Sequence, residues 1–503
     1  MDNIVIFDTT LRDGDQAKGF HFKPQEKIEI ARQLVRLGVD VIEAGFGASG
    51  KDYEVVDRIS REFGTSDGPI MCSLARTNKK DIEYAARAIE RAKKKRIHTF
   101  IATSDIHLND KLKKSKEQVI EMAVSAVRMA KNSTNDVEFS CEDFGRTDLD
   151  YAADIISEAI KAGATTINLP DTVGWMYPSE TYERVKSTID RVRSKGLDAI
   201  FSVHNHNDLG MATANTIEGI RAGARQVEVT MNGIGERAGN TALEEVVAAI
   251  LIRKLGNCGI NTKLIGETSR LVAKYSSKPQ PNKAIVGANA FSHEAGIHQD
   301  GMIKSQSTYE IMRPEDFGVE SVITLGPRSG RRGINQGYQQ IGINLGGQEL
   351  NDAVDRFKVI TEEKKEADHA DLVLALGNDP IIPERFKFVG YHPISVNGKV
   401  KVLVDIEVDG NLVHSYGEGN GQIDAIRKAI MKDTAVYFDI EDYHESSESP
   451  GSSAVGLTRM KIARNGWRVY GLGEDTDVVR SAAKAMIDGC NRISYVQFYF
   501  SRR

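Results

Sequence analysis

The stretch "SVHNHNDLG", residues 202–210, sets His204 and His206 two apart at the end of a run that reads as a strand. Alternate side chains of a strand share a face, so two imidazoles at this spacing can close on one ion without a bend in the chain. The same spacing also describes two solvated or hydrogen-bonded histidines, and alone it does not choose between them. Other polar residues close comparable runs: Arg12 and Asp13, Glu43, Arg76, His98, Ser140 and Glu142, Asp171 and Thr172, and Asn232. If the fold brings Asp13 and Asn240 beside the histidines, the result is a mixed nitrogen and oxygen donor set with room for substrate or water. Such a set suits a divalent ion acting as a Lewis acid (magnesium, manganese, zinc or cobalt) and not a closed structural zinc site.

The elements that must position these residues follow from periodicity. Eight β-branched runs, "IVIFDTT", "DVIEAGF", "IMCSLAR", "IHTFIAT", "VEFSCED", "TINLPDT", "AIFSVHNH" and "QVEVTMNG", alternate with amphipathic stretches such as "PQEKIEIARQLVRLG". Eight β/α units in roughly 250 residues is the size of a (β/α)8 TIM barrel, whose polar rim at the strands' C-terminal ends carries catalytic groups. Closure of that barrel sets strand eight beside strand one, so Asp13, the histidines and Asn240 share a sector of the mouth. A doubly wound open sheet is the alternative, but "FDTTLRDGDQ" lacks the Gly-rich phosphate turn expected after its first strand.

Composition narrows the classes further. The chain has 503 residues, 40% of them hydrophobic, enough for a large core and several domains. A net charge of −5 gives no electrostatic reason to expect nucleic acid or an acidic membrane as partner. Cys72, Cys141, Cys258 and Cys490 are scattered without C-x-x-C spacing, which fits a reducing compartment. No secretory leader pattern and no bilayer-length apolar run are seen, and the expected location is the cytoplasm.

Taken in order, "FDTTLRDGDQ", "FSCEDFGRT", "INLPDTVGW", "SVHNHNDLG", "MNGIGERAGN" and "GIHQDG" resemble the α-isopropylmalate synthases. These belong to the metal-dependent Claisen-condensing TIM-barrel enzymes, with the citramalate and homocitrate synthases. The resemblance runs from the first strand to the C-terminal end. It departs at "RDGDQ" for the usual R-D-G-E-Q, at "FGAS" for F-P after the second strand, and at Asn207, where an aspartate is common.

The resemblance implies condensation of acetyl-CoA with α-ketoisovalerate to 2-isopropylmalate and CoA, the first committed step of leucine biosynthesis. It implies Asp13, His204, His206 and Asn240 as ligands of Mn2+, Mg2+ or Zn2+, and Arg12, Glu142, Glu236, His298 and Tyr309 as catalytic residues. Arg12 would stabilise the developing alkoxide, and His298 would be the general base, assisted by Glu236 and near Tyr309. Because His298 lies beyond the barrel and the family takes it from the partner chain, an obligate homodimer with composite sites follows. His293, five residues earlier, reads as a structural neighbour. The small Ser140, with His98, Asn168 and Thr172, would leave room for a branched alkyl group. A pyruvate-using citramalate synthase would want more bulk there and is the alternative; a noncatalytic metabolite-binding barrel with an assembly tail is the second.

The barrel is expected over 1–275 and a helical connecting subdomain over 276–380, ending in the Pro-punctuated linker "GNDPIIPER". Over 386–503 a three-strands-and-helix pattern occurs twice, an internal duplication expected to form an α+β regulatory domain. The resemblance implies leucine as its effector, although Gln422 stands where the family often has Pro. The Gly-rich turns "GEGNGQID" and "GLGEDTDV", each before a helix, are expected to offer amides to its carboxylate. "GIGERAG" and "GEGNGQ" lack the spacing of a dinucleotide loop. "GPRSGRRG", near residue 330, reads equally as a phosphate contact or a solvated turn.

Overall fold

The computed structural model describes residues 2–47, 50–276, 280–364, 366–377, 381–396, 399–447 and 454–502. The end of "FGAS" and residues 378–380 of the Pro-rich linker lie outside them. The chain divides into two compact units, Met1–Phe291 with Ile311–Ser321, and Ser292–Glu310 with Val322–Arg503.

The first unit is a closed parallel barrel of β1 (Val5–Asp8), β2 (Val41–Glu43), β3 (Ile70–Arg76), β4 (Lys95–Ala102), β5 (Asp136–Glu142), β6 (Thr166–Asp171), β7 (Ile200–Asn205) and β8 (Gln226–Val229). Each expected run supplies one strand. Closure comes from β1 against β8, with Val5 opposite Gln226 and Asp8 opposite Val229. The strands are short and almost wholly buried, as parallel strands between a lumen and a ring of helices must be. The helices bury one stripe each; Pro24–Leu37 turns Ile28, Ala31 and Leu34 inward, and Leu149–Ala162 starts at Asp148, whose side chain accepts from Tyr151 N.

The barrel lumen is partly polar. Arg96 Nη1 donates to Glu138 Oε2 at 3.0 Å and to Gln226 Oε1 at 2.7 Å, and Gln226 Nε2 donates to Glu138 Oε1 at 2.7 Å and Ser202 Oγ at 3.1 Å. All four side chains are buried, so their mutual satisfaction is what makes the layer tolerable.

In the second unit, the parallel pair β9 (Ser292–His293) and β10 (Val322–Ile323) comes before two sheets that repeat one plan. Strands β11 (Phe386–Val396), β12 (Lys399–Val408) and β13 (Asn411–Gly419) precede a helix at Gln422–Thr434; β14 (Asp439–Ser447), β15 (Gly456–Arg464) and β16 (Trp467–Asp475) precede another at Val478–Ser501. Both sheets are antiparallel, and both first strands carry a register shift near their start, between Phe388 and Gly390 and between Ile440 and Asp442. The duplication read from the sequence thus extends to a bulge at matching positions.

Of the glycines expected in turns, Gly417, Gly419, Gly471 and Gly473 lie instead on the strands. An added Cβ on Gly417 of β13 would stand 2.1 Å from Ala425 O, and one on Gly471 of β16 would stand 2.0 Å from Ala485 O. Glycine is needed there because each helix packs directly onto its strand. The first turn of the Val478–Ser501 helix is capped by its own Asp477, which accepts from Val479 N and Arg480 N.

Residues 331–375 share one apolar core with 386–496; Ile334, Tyr338, Phe357 and Leu372 belong to the same cluster as Val402, Ile426 and Met486. Asp368 and Asp371 reinforce the join by accepting from Arg492 Nε at 2.8 Å and Nη2 at 2.7 Å. Among the described residues no helix is long and apolar enough to cross a membrane.

Gly417→Ala and Gly471→Ala should each destabilise the second unit by about 1–3 kcal/mol through overpacking, lowering its thermal transition by several degrees. Unchanged melting for both would show that the helices can move off the strands without cost.

Candidate active site

A cavity of about 220 Å³ opens at the C-terminal mouth of the barrel, lined by Arg12, Asp13, His98, Ser140, Glu142, Asn168, Thr172, His204, His206 and Glu236, together with Gln16, Leu74, Phe100, Pro170 and Glu228. Ten of the residues singled out in the sequence therefore converge on one space. Asn240, an eleventh, sits behind it on Asp13.

Asp13 follows β1 in a tight turn in which Thr9 O accepts from the backbone amides of Arg12, Asp13 and Gly14. His204 lies within β7, and His206, just beyond, pairs through a backbone bridge with Asn240, which brings the loop after β8 over the histidines. The two imidazole Nε2 atoms are 3.3 Å apart, and His204 Nε2 is 3.7 Å from Asp13 Oδ2. One donor atom from each of the three lies within 4.8 Å of the others. Asn240 Nδ2 donates to Asp13 Oδ1 at 2.9 Å, and its Oδ1 is buried with no hydrogen-bond partner.

The electrostatics fit a cation. Burial pushes His204 and His206 each down to about 4, so both are neutral near pH 7. Burial opposes charge on Asp13 too, but Arg12 and the two histidines hold its carboxyl well below the usual range. Two facing nitrogens at 3.3 Å require a proton or a cation between them, and the unpartnered Asn240 oxygen is a further neutral donor. The three side chains and Asn240 fit a divalent ion of the kind held by mixed nitrogen and oxygen ligands.

Beside this set, Glu43 organises the organic part of the cavity. Its Oε2 accepts from Arg12 Nε and from Thr9 Oγ1, each at 2.6 Å, while Oε1 is 2.8 Å from His98 Nδ1. Arg12 Nη1 reaches Asp13 Oδ2 at 2.6 Å, so the guanidinium is clamped between two carboxylates. His98 Nε2 is 2.6 Å from Ser140 Oγ, which also accepts from Asn168 Nδ2 at 2.9 Å. Burial disfavours charge on His98, yet the Glu43 carboxylate outweighs it and raises the imidazole's pKa. Glu142 accepts from Lys111 Nζ at 2.7 Å, and Thr172 Oγ1 accepts from Asp143 N at 2.9 Å. Arg237 ties the loops together, donating to both oxygens of Asp208 at 2.7 and 2.9 Å and to Thr172 O at 2.8 Å.

His298 and Tyr309 belong to the second unit, with ring centroids 4.3 Å apart. His293 Nε2 is 3.1 Å from Glu310 Oε1 in the same unit. Three rim residues have local structural roles outside the cavity lining. Arg76 pairs with Asp81, Asp171 accepts from Trp175 N and Met176 N, and Asn232 bonds Ser269. Two of the three arginines of "GPRSGRRG" are engaged nearby, Arg331 with Asn351 and Arg332 with Asp300. Glu43 and Glu228 are the residues that sequence reasoning undervalued; the available signal was an acid inside an apolar strand, in "DVIEAGF" and "QVEVT".

A closed barrel with a cation-ready His, His, Asp set at its catalytic pole defines a metal-dependent barrel enzyme. Residues 3–272 match the HMGL-like family, 285–365 the homocitrate synthase post-HMGL domain-like family, and 363–494 the LeuA allosteric (dimerisation) domain. The 2-isopropylmalate synthase of Campylobacter fetus subsp. fetus (strain 82-40) is 45% identical over 504 residues, spanning 98% of this chain and 98% of that protein. That of Aquifex aeolicus (strain VF5) is 43% identical over 519 residues, 100% of this chain and 98% of that protein. That of Synechocystis sp. (strain ATCC 27184 / PCC 6803 / Kazusa) is 44% identical over 514 residues, 98% and 96%. The chain belongs to the 2-isopropylmalate synthase family of HMGL-like barrels.

Replacing either His204 or His206 with Ala should abolish condensation and weaken divalent-ion binding while leaving the thermal transition of the barrel close to wild type, because both stand at the rim. Full activity of the wild-type protein after exhaustive chelation would contradict this.

Proposed function

We infer that the chain condenses acetyl-CoA with 2-oxoisovalerate to give 2-isopropylmalate and CoA, the step that commits carbon to leucine. The observation that carries this reading is the juxtaposition of a cation-ready donor set with a clamped arginine in a cavity sized for a small keto acid. A divalent ion held by Asp13, His204, His206 and Asn240 would polarise the ketone of the keto acid. Arg12, fixed by Glu43 and Asp13, needs no reorganisation to stabilise the alkoxide as charge develops on that oxygen. The methyl proton of acetyl-CoA goes to His298, assisted by Glu236 and Tyr309, and Glu142 completes the catalytic set. The enolate carbon then bonds the ketone carbon, and hydrolysis of the product thioester releases CoA.

His98, Ser140, Asn168 and Thr172 hold the keto acid in this reading, and Leu74, Phe100 and Pro170 supply apolar wall for the isopropyl group. The catalytic efficiency for 2-oxoisovalerate should exceed that for pyruvate by at least about tenfold, since each methylene in an apolar pocket is worth about 1–3 kcal/mol. Free CoA released from acetyl-CoA, read with a thiol reagent for each keto acid, measures this. A preference for pyruvate would make the activity that of a citramalate synthase, and no release with any small keto acid would leave a binding protein.

The same reading makes the protein a cytoplasmic homodimer in which His298 and Tyr309 of one protomer serve the barrel of the other. Mixing inactive His298→Ala and Arg12→Ala chains should then restore part of the activity through hybrid sites. No recovery despite demonstrated subunit exchange would return His298 to its own barrel. Leucine is proposed as the effector of the LeuA-type domain. Support comes from the match of residues 363–494 to the LeuA allosteric (dimerisation) domain. Millimolar leucine should inhibit the full-length protein; indifference to leucine and isoleucine would make the duplicated domain an assembly module.

A further inference from the structure

The two candidate metal histidines are not equally supported. Strand register sets His204 of β7 directly opposite Glu228 of β8, and Glu228 Oε2 is 2.8 Å from His204 Nδ1. Glu228 is fully buried and its backbone is fixed by the β7–β8 and β8–β1 pairings that close the barrel. His206 Nδ1, by contrast, is buried with no hydrogen-bond partner.

Which ring nitrogen carries the proton decides whether an imidazole can ligate. His204 turns Nε2 toward Asp13 and His206, so that atom can give a lone pair only if the proton sits on Nδ1. A buried Nδ1–H needs an acceptor, and Glu228 is the acceptor within reach. Beneath it, Gln226, two residues earlier on the same face, is held by Arg96, Glu138 and Ser202, so the acid stands on a floor that does not give way.

We propose that Glu228 is a positioning residue that fixes the tautomer and orientation of His204 and thereby sets the affinity of the site for its divalent ion. This rests on the metal-site reading above, and it concerns a residue that touches neither the ion nor, in that reading, the substrate. It makes His204 the preorganised ligand and His206 the adaptable one.

Dissociation constants of the full-length protein for Mn2+ and Zn2+, measured with the metal alone by competition against a fluorescent chelator, test it. Glu228→Ala should weaken binding by about 10–100-fold. Glu228→Gln, which keeps a carbonyl oxygen for Nδ1–H, should stay within about threefold of wild type, while Glu228→Leu, of similar volume but with no acceptor, should weaken binding as Glu228→Ala does, a split that a merely space-filling role does not predict. If Glu228→Ala does not fold, Glu228→Asp, with its carboxylate withdrawn by one methylene, takes its place under the same expectation. The inference is overturned if His204→Ala loses the ion while Glu228→Ala or Glu228→Asp keeps it, or if Glu228→Gln binds as poorly as Glu228→Ala. Should the wild-type protein bind neither ion, the metal-site reading fails and this inference with it.

Discussion

Everything at the mouth of the barrel depends on the pairing of β1 with β8. Asp13 and Asn240 are 227 residues apart, yet their side chains are hydrogen bonded because Val5 to Asp8 run beside Gln226 to Val229. Without that closure the turn after β1 has no fixed relation to the end of β7, and no donor set exists. Parallel pairing between the first and last strands is non-local and entropically expensive, and it is secured by burial of nearly every residue on both faces. The site is thus a consequence of completing the barrel, and its geometry is as rigid as the sheet.

Closure also forces charge into the lumen, and the arrangement shows how that is tolerated. Burial disfavours each of Arg12, Glu43, Asp13 and His98 in its charged form, while their mutual contacts favour it. Arg12 is held by two carboxylates, and Glu43 is shared by a guanidinium, an imidazole and a hydroxyl. Removing one member leaves its neighbours buried and unpaired, so the cluster stands or falls as a unit. A guanidinium locked in this way has little freedom to follow the substrate. The donors are already where negative charge will appear, which is the condition under which electrostatic stabilisation of a transition state is largest.

The sequence made much of this legible because the signals are local. Runs of β-branched residues ended in polar residues, so the strands and most of the cavity lining could be read directly, while the H-x-H spacing in a strand admitted a cation without requiring one. The family resemblance supplied the roles. What stayed hidden depends on register between strands distant in the chain. Nothing near Glu43 says that its two oxygens serve Arg12 and His98, and nothing near Glu228 says that His204 lies opposite. Arg76, Asp171 and Asn232 look like rim chemistry in sequence, but they satisfy loop and helix ends, a demand every βα connection makes. The glycines of "GEGNGQID" and "GLGEDTDV" read as turns because glycine usually marks them; at Gly417 and Gly471 the close approach of a helix to a strand requires them.

That close approach bears on how a duplicated domain can transmit anything. In both repeats the helix backbone rests on a strand glycine with no side chain between, so a helix cannot shift far without lifting from its sheet. The second repeat's helix also carries Arg492, held between the buried Asp368 and Asp371 at the end of the connecting helices, and Asp368 accepts in addition from Tyr470 N on β16. Sheet, helix and connector therefore meet at one buried ion cluster, inside a core that they share. Packed interiors of this kind respond to a bound ligand by switching between discrete arrangements more readily than by bending. A ligand at the duplicated domain that favoured one arrangement would move the connecting helices with it, because the packing leaves them no independent core.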